Sequence, residues 1–123
     1  YGTPRPALTS IAVKVDGDRV EATATLALNG RVLTGQSMGN VADRTAIIAS
    51  ATLGAVSPLL DSEATLETAS LIEVGGRNVA LSVLRLDAEE PAEVLVGSAI
   101  IRGDSEDATA RSVLSALNRR LSR

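Results

Sequence analysis

Ala22-Thr23-Ala24-Thr25-Leu26-Ala27-Leu28 (ATATLAL) and Ala80-Leu81-Ser82-Val83-Leu84-Arg85-Leu86 (ALSVLRL) are one strand pattern written twice, at a spacing of 80 − 22 = 58 residues. Each alternates with period two, the mark of a strand that lays one face on a core. Upstream of the first, Ile11, Val13 and Val15 alternate in the same way, and Asp16-Gly17-Asp18 supplies the turn between them. Asn29-Gly30 follows, a strong hairpin signal because both positions tolerate positive φ, and leads into a third strand read over Arg31 to Gln36.

The order recurs downstream. Leu66 to Val74, a Gly75-Gly76 turn, Asn78 to Leu86, a loop through Glu89-Glu90-Pro91 and Glu93 to Ile101 make a second set of three strands. A helix follows each set. Asn40 is placed to cap the first, with Asp43 three residues on and apolar positions from Ala46 to Leu60; Asp104 opens the second. Ala49 to Leu60 (ASATLGAVSPLL) lies over Ala110 to Leu121 (ARSVLSALNRRL) at a spacing of 110 − 49 = 61, and the shift of three from the strand spacing is assigned to a hairpin loop. Gly35 and Gly97 mark the third strand of each copy. The pattern predicts an α+β domain built from a duplicated β-β-β-α unit with pseudo-twofold symmetry, its mainly antiparallel sheet carrying two helices on one face. Residues 1–7 read as a linker, 8–123 as one domain, with repeats of about 8–61 and 66–123.

The 123 residues suffice for one core, and 45% hydrophobic content with 22% charge fits a globular chain. With no Cys and no His, disulfides, zinc-thiolate sites, thiol nucleophiles and the ordinary catalytic triad are excluded. The absence of Trp and Phe, a lone Tyr1 and a net charge of −3 argue against stacking on bases or holding phosphates, so no nucleic-acid partner is expected. No apolar run reaches the roughly 18 to 20 residues of a membrane span, and Tyr1-Gly2-Thr3-Pro4-Arg5-Pro6 has no signal-peptide layout. A cytoplasmic protein is expected. The start on turn-forming residues without Met leaves room for a longer natural polypeptide.

The second copy is apolar on both strand faces. Leu81 and Val83 lie opposite Leu84 and Leu86, and Val96 and Ile100 opposite Leu95 and Ala99, whereas the first copy has Thr23 and Thr25 where the second has Leu81 and Val83. Two helices can cover one face only. Leu81, Val83, Val96 and Ile100 are therefore read as a homodimer interface, the alternative being loops or further chain over the same patch.

Gly97-Ser98-Ala99-Ile100-Ile101-Arg102-Gly103-Asp104, with Ala108, Ala116, Leu117 and Asn118 after it, resembles the C-terminal regulatory domain of 2-isopropylmalate and citramalate synthases. That family also duplicates a β-β-β-α unit, so the resemblance covers nearly the whole chain from about Leu8. The first copy departs from it: Asn40-Val41-Ala42-Asp43 stands where the family carries Gly-Pro-Val-Asp. The resemblance implies a domain that binds an end-product amino acid near a dimer interface. It does not imply synthase activity, because the catalytic barrel needs roughly 250 residues.

Candidate ligand residues are Ser37, Gly39, Asn40 and Asp43 at the first helix start, and Gly103 and Asp104 at the second. Unpaired N–H groups there suit a carboxylate, Asp43 or Asp104 an ammonium, and Met38, Ile100 and Ile101 a branched side chain. A strand-to-helix turn needs such small residues on conformational grounds alone, which is the competing account of Gly35 to Asn40. Asp104, Glu106 and Asp107 read as first-turn acids that complement the helix dipole, so no metal is expected. Arg119, Arg120 and Arg123 read as solvated last-turn cations, Lys14 as an edge-strand lysine, and Asp16, Asp18, Glu89 and Glu90 as turn residues. No catalytic residue and no cofactor is assigned. The leading expectation is a non-catalytic, amino-acid-responsive homodimeric domain; a ligand-free interaction module is the alternative, and a small tailoring enzyme on the same fold the third.

Overall fold

The structure is a computed structural model that describes residues 5–87 and 91–121, the last three as helix backbone alone. Glu89, Glu90, Arg123 and the side chains of Arg119 and Arg120 lie outside the described residues, as do the first four residues of the expected linker. Strand β1 (Ala7–Asp16), β2 (Arg19–Leu28) and β3 (Arg31–Asn40) precede a 3-10 turn (Val41–Asp43), helix α1 (Arg44–Val56) and a second 3-10 turn (Ser57–Leu59). Then come β4 (Ala64–Val74), β5 (Arg77–Leu86), β6 (Glu93–Ile100) and α2 (Ser105–Leu121). The duplicated β-β-β-α unit is present, and its strands form two antiparallel three-stranded sheets, β1-β2-β3 and β4-β5-β6.

The turns follow from their residues. Asn29 and Gly30 take φ of 50° and 78°, and Gly75 and Gly76 take 58° and 80°, the paired positive values of a type I′ hairpin. Both first strands carry a register shift at the same place, between Leu8 and Ser10 and between Leu66 and Thr68. The extra residue explains why Leu8 and Ile11, three apart, both face the core opposite Leu26 and Ala24.

Each helix lies on the inner face of its own sheet and also meets the other repeat. Helix α1 packs on β2 and β3 and touches α2 and β4, while α2 packs on β5 and β6 and touches β1. One cluster results, taking Val20, Ala22, Ala24 and Leu26 from the first sheet, Leu84 and Leu86 from the second, and Ile48, Val56, Val113 and Leu117 from the helices. Fully burying a leucine such as Leu26, Leu84 or Leu117 contributes about 1.5 to 3 kcal/mol.

Helix and strand touch backbone to backbone at two equivalent glycines. A Cβ on Gly35 would stand 2.1 Å from the Ala51 carbonyl oxygen, and one on Gly97 2.0 Å from that of Ser112. The repeat arithmetic needs correction here. Gly97 follows Gly35 by 97 − 35 = 62, while Ser112 follows Ala51 by 112 − 51 = 61. The β5–β6 connection thus holds four residues more than Asn29-Gly30, and the strand-to-helix passage one fewer, where the sequence alone assigned a single shift of three.

Two boundaries also move. The third strand runs on to Asn40, because Ser37, Met38 and Gly39 pair with Ala22, Glu21 and Val20; the segment Gly35 to Asn40 is strand and not a glycine-punctuated turn. Asn40 caps the 3-10 turn, its side chain accepting from the Ala42 N–H at 2.8 Å, rather than the α-helix itself. Helix α1 ends at Val56, and Pro58 lies in the 3-10 turn that follows.

In the first copy, Ile47 on the helix packs against Gly39, whose added Cβ would meet Ile47 Cδ1 at 3.0 Å; the equivalent positions of the second copy hold Ile101 and Ala108, so the large residue stands on the strand side there.

Candidate functional site

The starts of α1 and α2 come together. Arg44, the first residue of α1, forms an ion pair with Glu106 in the first turn of α2, both side chains being partly buried. Asp104 accepts from the Glu106 backbone N–H at 2.9 Å and so caps α2, with Gly103 before it at φ 101°. Asp107 pairs with Arg111 one turn on, at 2.6 Å. The three acids therefore turn to three different partners, and among the described residues no group of acidic side chains could hold a metal ion.

Between the open side of β6 and α2 lies a cleft of about 480 Å³ lined by Ala99, Ile100, Arg102, Asp104, Asp107, Ala108 and Arg111. It contains Asp104 and borders Gly103 from the predicted set, and adds Arg102 and Arg111, to which the sequence alone assigns no ligand role. An arginine and an aspartate on one rim, beside Ala99 and Ala108, offer complementary charges to a zwitterion and a shallow apolar wall to its side chain.

The first-copy residues are arranged differently. Gly39 and Ser37 sit in the β2–β3 ladder, and the bond from the Val41 N–H to the Asp18 carbonyl at 2.7 Å, continued by strand alternation, turns the Gly39 backbone groups toward β2. Its N–H is thus committed. Met38 lies opposite Glu21 on the outer face, away from α1, and does not wall a site at that helix start. Asp43 makes no capping bond. The predicted set divides into a first-copy group built into strand and 3-10 turn and a second-copy group beside an open cleft.

The four predicted interface residues share one face. Register places Val83 opposite Val96, Leu81 opposite Ser98 and Val79 opposite Ile100, all on the side of the second sheet turned from the helices. Ile72, opposite Val79, and Val94, opposite Arg85, extend the patch. Exposure rises across it, from half-buried Leu81 and Val83 on β5 to 54% for Val94, 62% for Val96 and 45% for Ile100 on β6. The matching face of the first sheet is polar at its centre, with Thr23, Thr25, Thr34, Gln36, Glu21 and Lys14 and with Gln36 donating to Glu21 at 2.7 Å, and carries Val32 and Met38 toward the two ends of its β3 row. No helix among the described residues is long and apolar enough to cross a membrane.

A scan against protein-family models finds no match, and a search of curated proteins finds none either.

Proposed function

We propose that the chain is a non-catalytic regulatory domain that works as a homodimer, as its resemblance to the amino-acid-sensing domain of 2-isopropylmalate synthases implies. The observation that carries this reading is the contiguous apolar outer face of the second sheet, set against an outer face of the first on which Val32 and Met38 are separated by Thr34 and Gln36. Contiguous exposed apolar patches on a sheet mark association surfaces, and an identical chain is the simplest partner for a closed interface. Sedimentation equilibrium at tens of micromolar is expected to give a dimer. Val83→Asp and Val96→Asp are expected to weaken it more than Thr23→Asp and Thr25→Asp, because only the first pair sets a charge into an apolar contact. A monomeric wild type, or equal effects across the four variants, overturns the reading.

The ligand of that domain is an α-amino acid with a branched aliphatic side chain, held in the cleft beside α2 with its carboxylate at Arg102 and its ammonium at Asp104 or Asp107. Titration calorimetry with leucine, isoleucine and valine tests this, with Arg102→Ala expected to abolish the heat. A second reading, a dimerisation module without ligand, is favoured by one observation: the first-copy segment Ser37 to Asn40 is committed to strand. No heat and no thermal shift at millimolar amino acid would establish that second reading over the first.

A further inference from the structure

We propose that two copies join edge to edge, β6 pairing antiparallel with the partner's β6 about a twofold axis at Gly97, so that two three-stranded sheets become one of six. The inference rests on the homodimer reading above and adds where its axis lies: at the β6 edge, where Val96 meets the partner directly and Val83, one strand further in, acts through its contact with Val96.

Strand β6 is an open edge, with β5 on one side and no strand among the described residues on the other. The Ile101 N–H donates to the Asn78 carbonyl at 2.9 Å, which fixes the phase of the ladder. By antiparallel alternation, Val94, Val96, Ser98 and Ile100 then direct both their N–H and C=O groups away from β5. Natural edges are blunted by bulges, charges or proline. Strand β1 has its bulge and Lys14, and β4 has its bulge and Glu67, but residues 94 to 101 contain no bulge, proline or charge. The remaining edge, β3, is also uncharged along Val32 to Asn40, yet its outer row mixes Val32 and Met38 with Thr34 and Gln36. Among the described edges only β6 combines an unguarded backbone with an apolar row, and that row includes Val96, at 62% the most exposed apolar side chain of its sheet face.

Facing residues of antiparallel strands must share a face, so a twofold axis falls on a residue rather than between two. Centred on Gly97, the pairing sets Val94 against the partner's Ile100 and Val96 against the partner's Ser98, using all four open positions. It also brings the Glu93 end of one strand beside the Arg102 end of the other, opposite charges that a parallel arrangement would separate. Centring on Ser98 would instead set Val94 against Arg102. Charge and apolarity both select Gly97, and both select a second copy of the same strand over an unrelated peptide.

The chain has no cysteine, so introduced thiols report without background. Residues paired by two hydrogen bonds stand about 5.5 Å apart at Cα, within disulfide reach. Mixing Val96→Cys with Ser98→Cys under mild oxidation is expected to give a disulfide-linked heterodimer by mass, while either variant alone gives little. Their counterparts on β3, Thr34→Cys mixed with Gln36→Cys, are expected not to cross-link. Val96→Pro removes one open N–H without touching the β5 ladder, and is expected to yield a folded monomer by sedimentation and circular dichroism. If that variant does not fold, the cross-link decides. A wild-type dimer without the Val96–Ser98 cross-link overturns edge pairing and leaves the homodimer standing; a wild-type monomer removes both.

Discussion

At Gly35 and Gly97 the missing side chain sets the distance between helix and sheet, because the atoms an added Cβ would meet are backbone atoms that cannot rotate aside. Gly35→Ala and Gly97→Ala should each destabilise by about 3 kcal/mol or more, at or above the usual range for an overfilled core, read as a drop in denaturation midpoint with unchanged slope. A loss below about 1 kcal/mol at either site would mean that the helix shifts freely. The second copy adds a polar pair at this contact. Ser82 and Ser112 are fully buried with hydroxyls 2.6 Å apart, and Ser112 Oγ also donates to the Thr109 carbonyl at 2.7 Å, so the Ser82 hydroxyl donates to Ser112. The first copy has Ala24 and Ala51 in these places. Ser112→Ala strands the Ser82 hydroxyl and should cost about 1 to 3 kcal/mol, whereas Ser82→Ala with Ser112→Ala recreates the first-copy contact and should lie closer to wild type than Ser112→Ala alone. Chemical denaturation of the two variants orders them, and the reverse order would refute the pairing.

Among the elements, strands and hairpins were legible because their signals are local: alternation in Ala22 to Leu28 and paired positive-φ residues at Asn29-Gly30 and Gly75-Gly76 leave few alternatives. The end of β3 was not legible. Ser37-Met38-Gly39-Asn40 has turn composition, and what makes it strand is the non-local partner Arg19 to Ala22, which the glycine at 39 serves by leaving room for Ile47. The bulges at Leu8/Ser10 and Leu66/Thr68 were hidden for a related reason, since a one-residue insertion reads as noise until the partner strand supplies the register. At the candidate site, the face shared by Leu81, Val83, Val96 and Ile100 followed from period-two alternation, and the Asp107–Arg111 pair is a local i,i+4 spacing on one helix, but the cleft itself was not legible, because Arg102 comes beside these α2 residues only once α2 lies along β6. The helix starts differ in a testable way. Asp104→Ala removes a bonded cap and should cost about 0.5 to 2 kcal/mol, while Asp43→Ala removes no capping bond and should cost less. Thermal unfolding of the two variants checks this, and an equal or larger loss at Asp43 would mean that the cap assignments are reversed.

For the molecule as a whole, the duplicated sequence raises the question of whether the repeats are two folding units or one. A unit able to stand alone would keep an exposed polar stripe along its helix, as a surface helix does. Helix α1 does not: Ile47, Ile48, Ala49, Ala51, Thr52, Leu53, Ala55 and Val56 are all buried, which its own sheet on one side cannot achieve. The rest of the cover comes from α2 and β4, and Val113, Leu114 and Leu117 of α2 sit in the same cluster as Val20 and Leu26 of the first sheet. Removing either repeat would bare an apolar side of the other's helix, so the halves are expected to unfold together. Native-state hydrogen exchange on Gly35→Ala is the sharp form of this expectation, since the substitution touches only first-repeat atoms. Protection of the slowest amides in β5 and α2 should fall by the same free energy as that in β2 and α1, because all of them exchange through one global opening. Second-repeat amides that keep their wild-type protection would show instead that the duplication left two cooperative units, with the Arg44–Glu106 pair and the shared cluster acting as a dissociable seam between them.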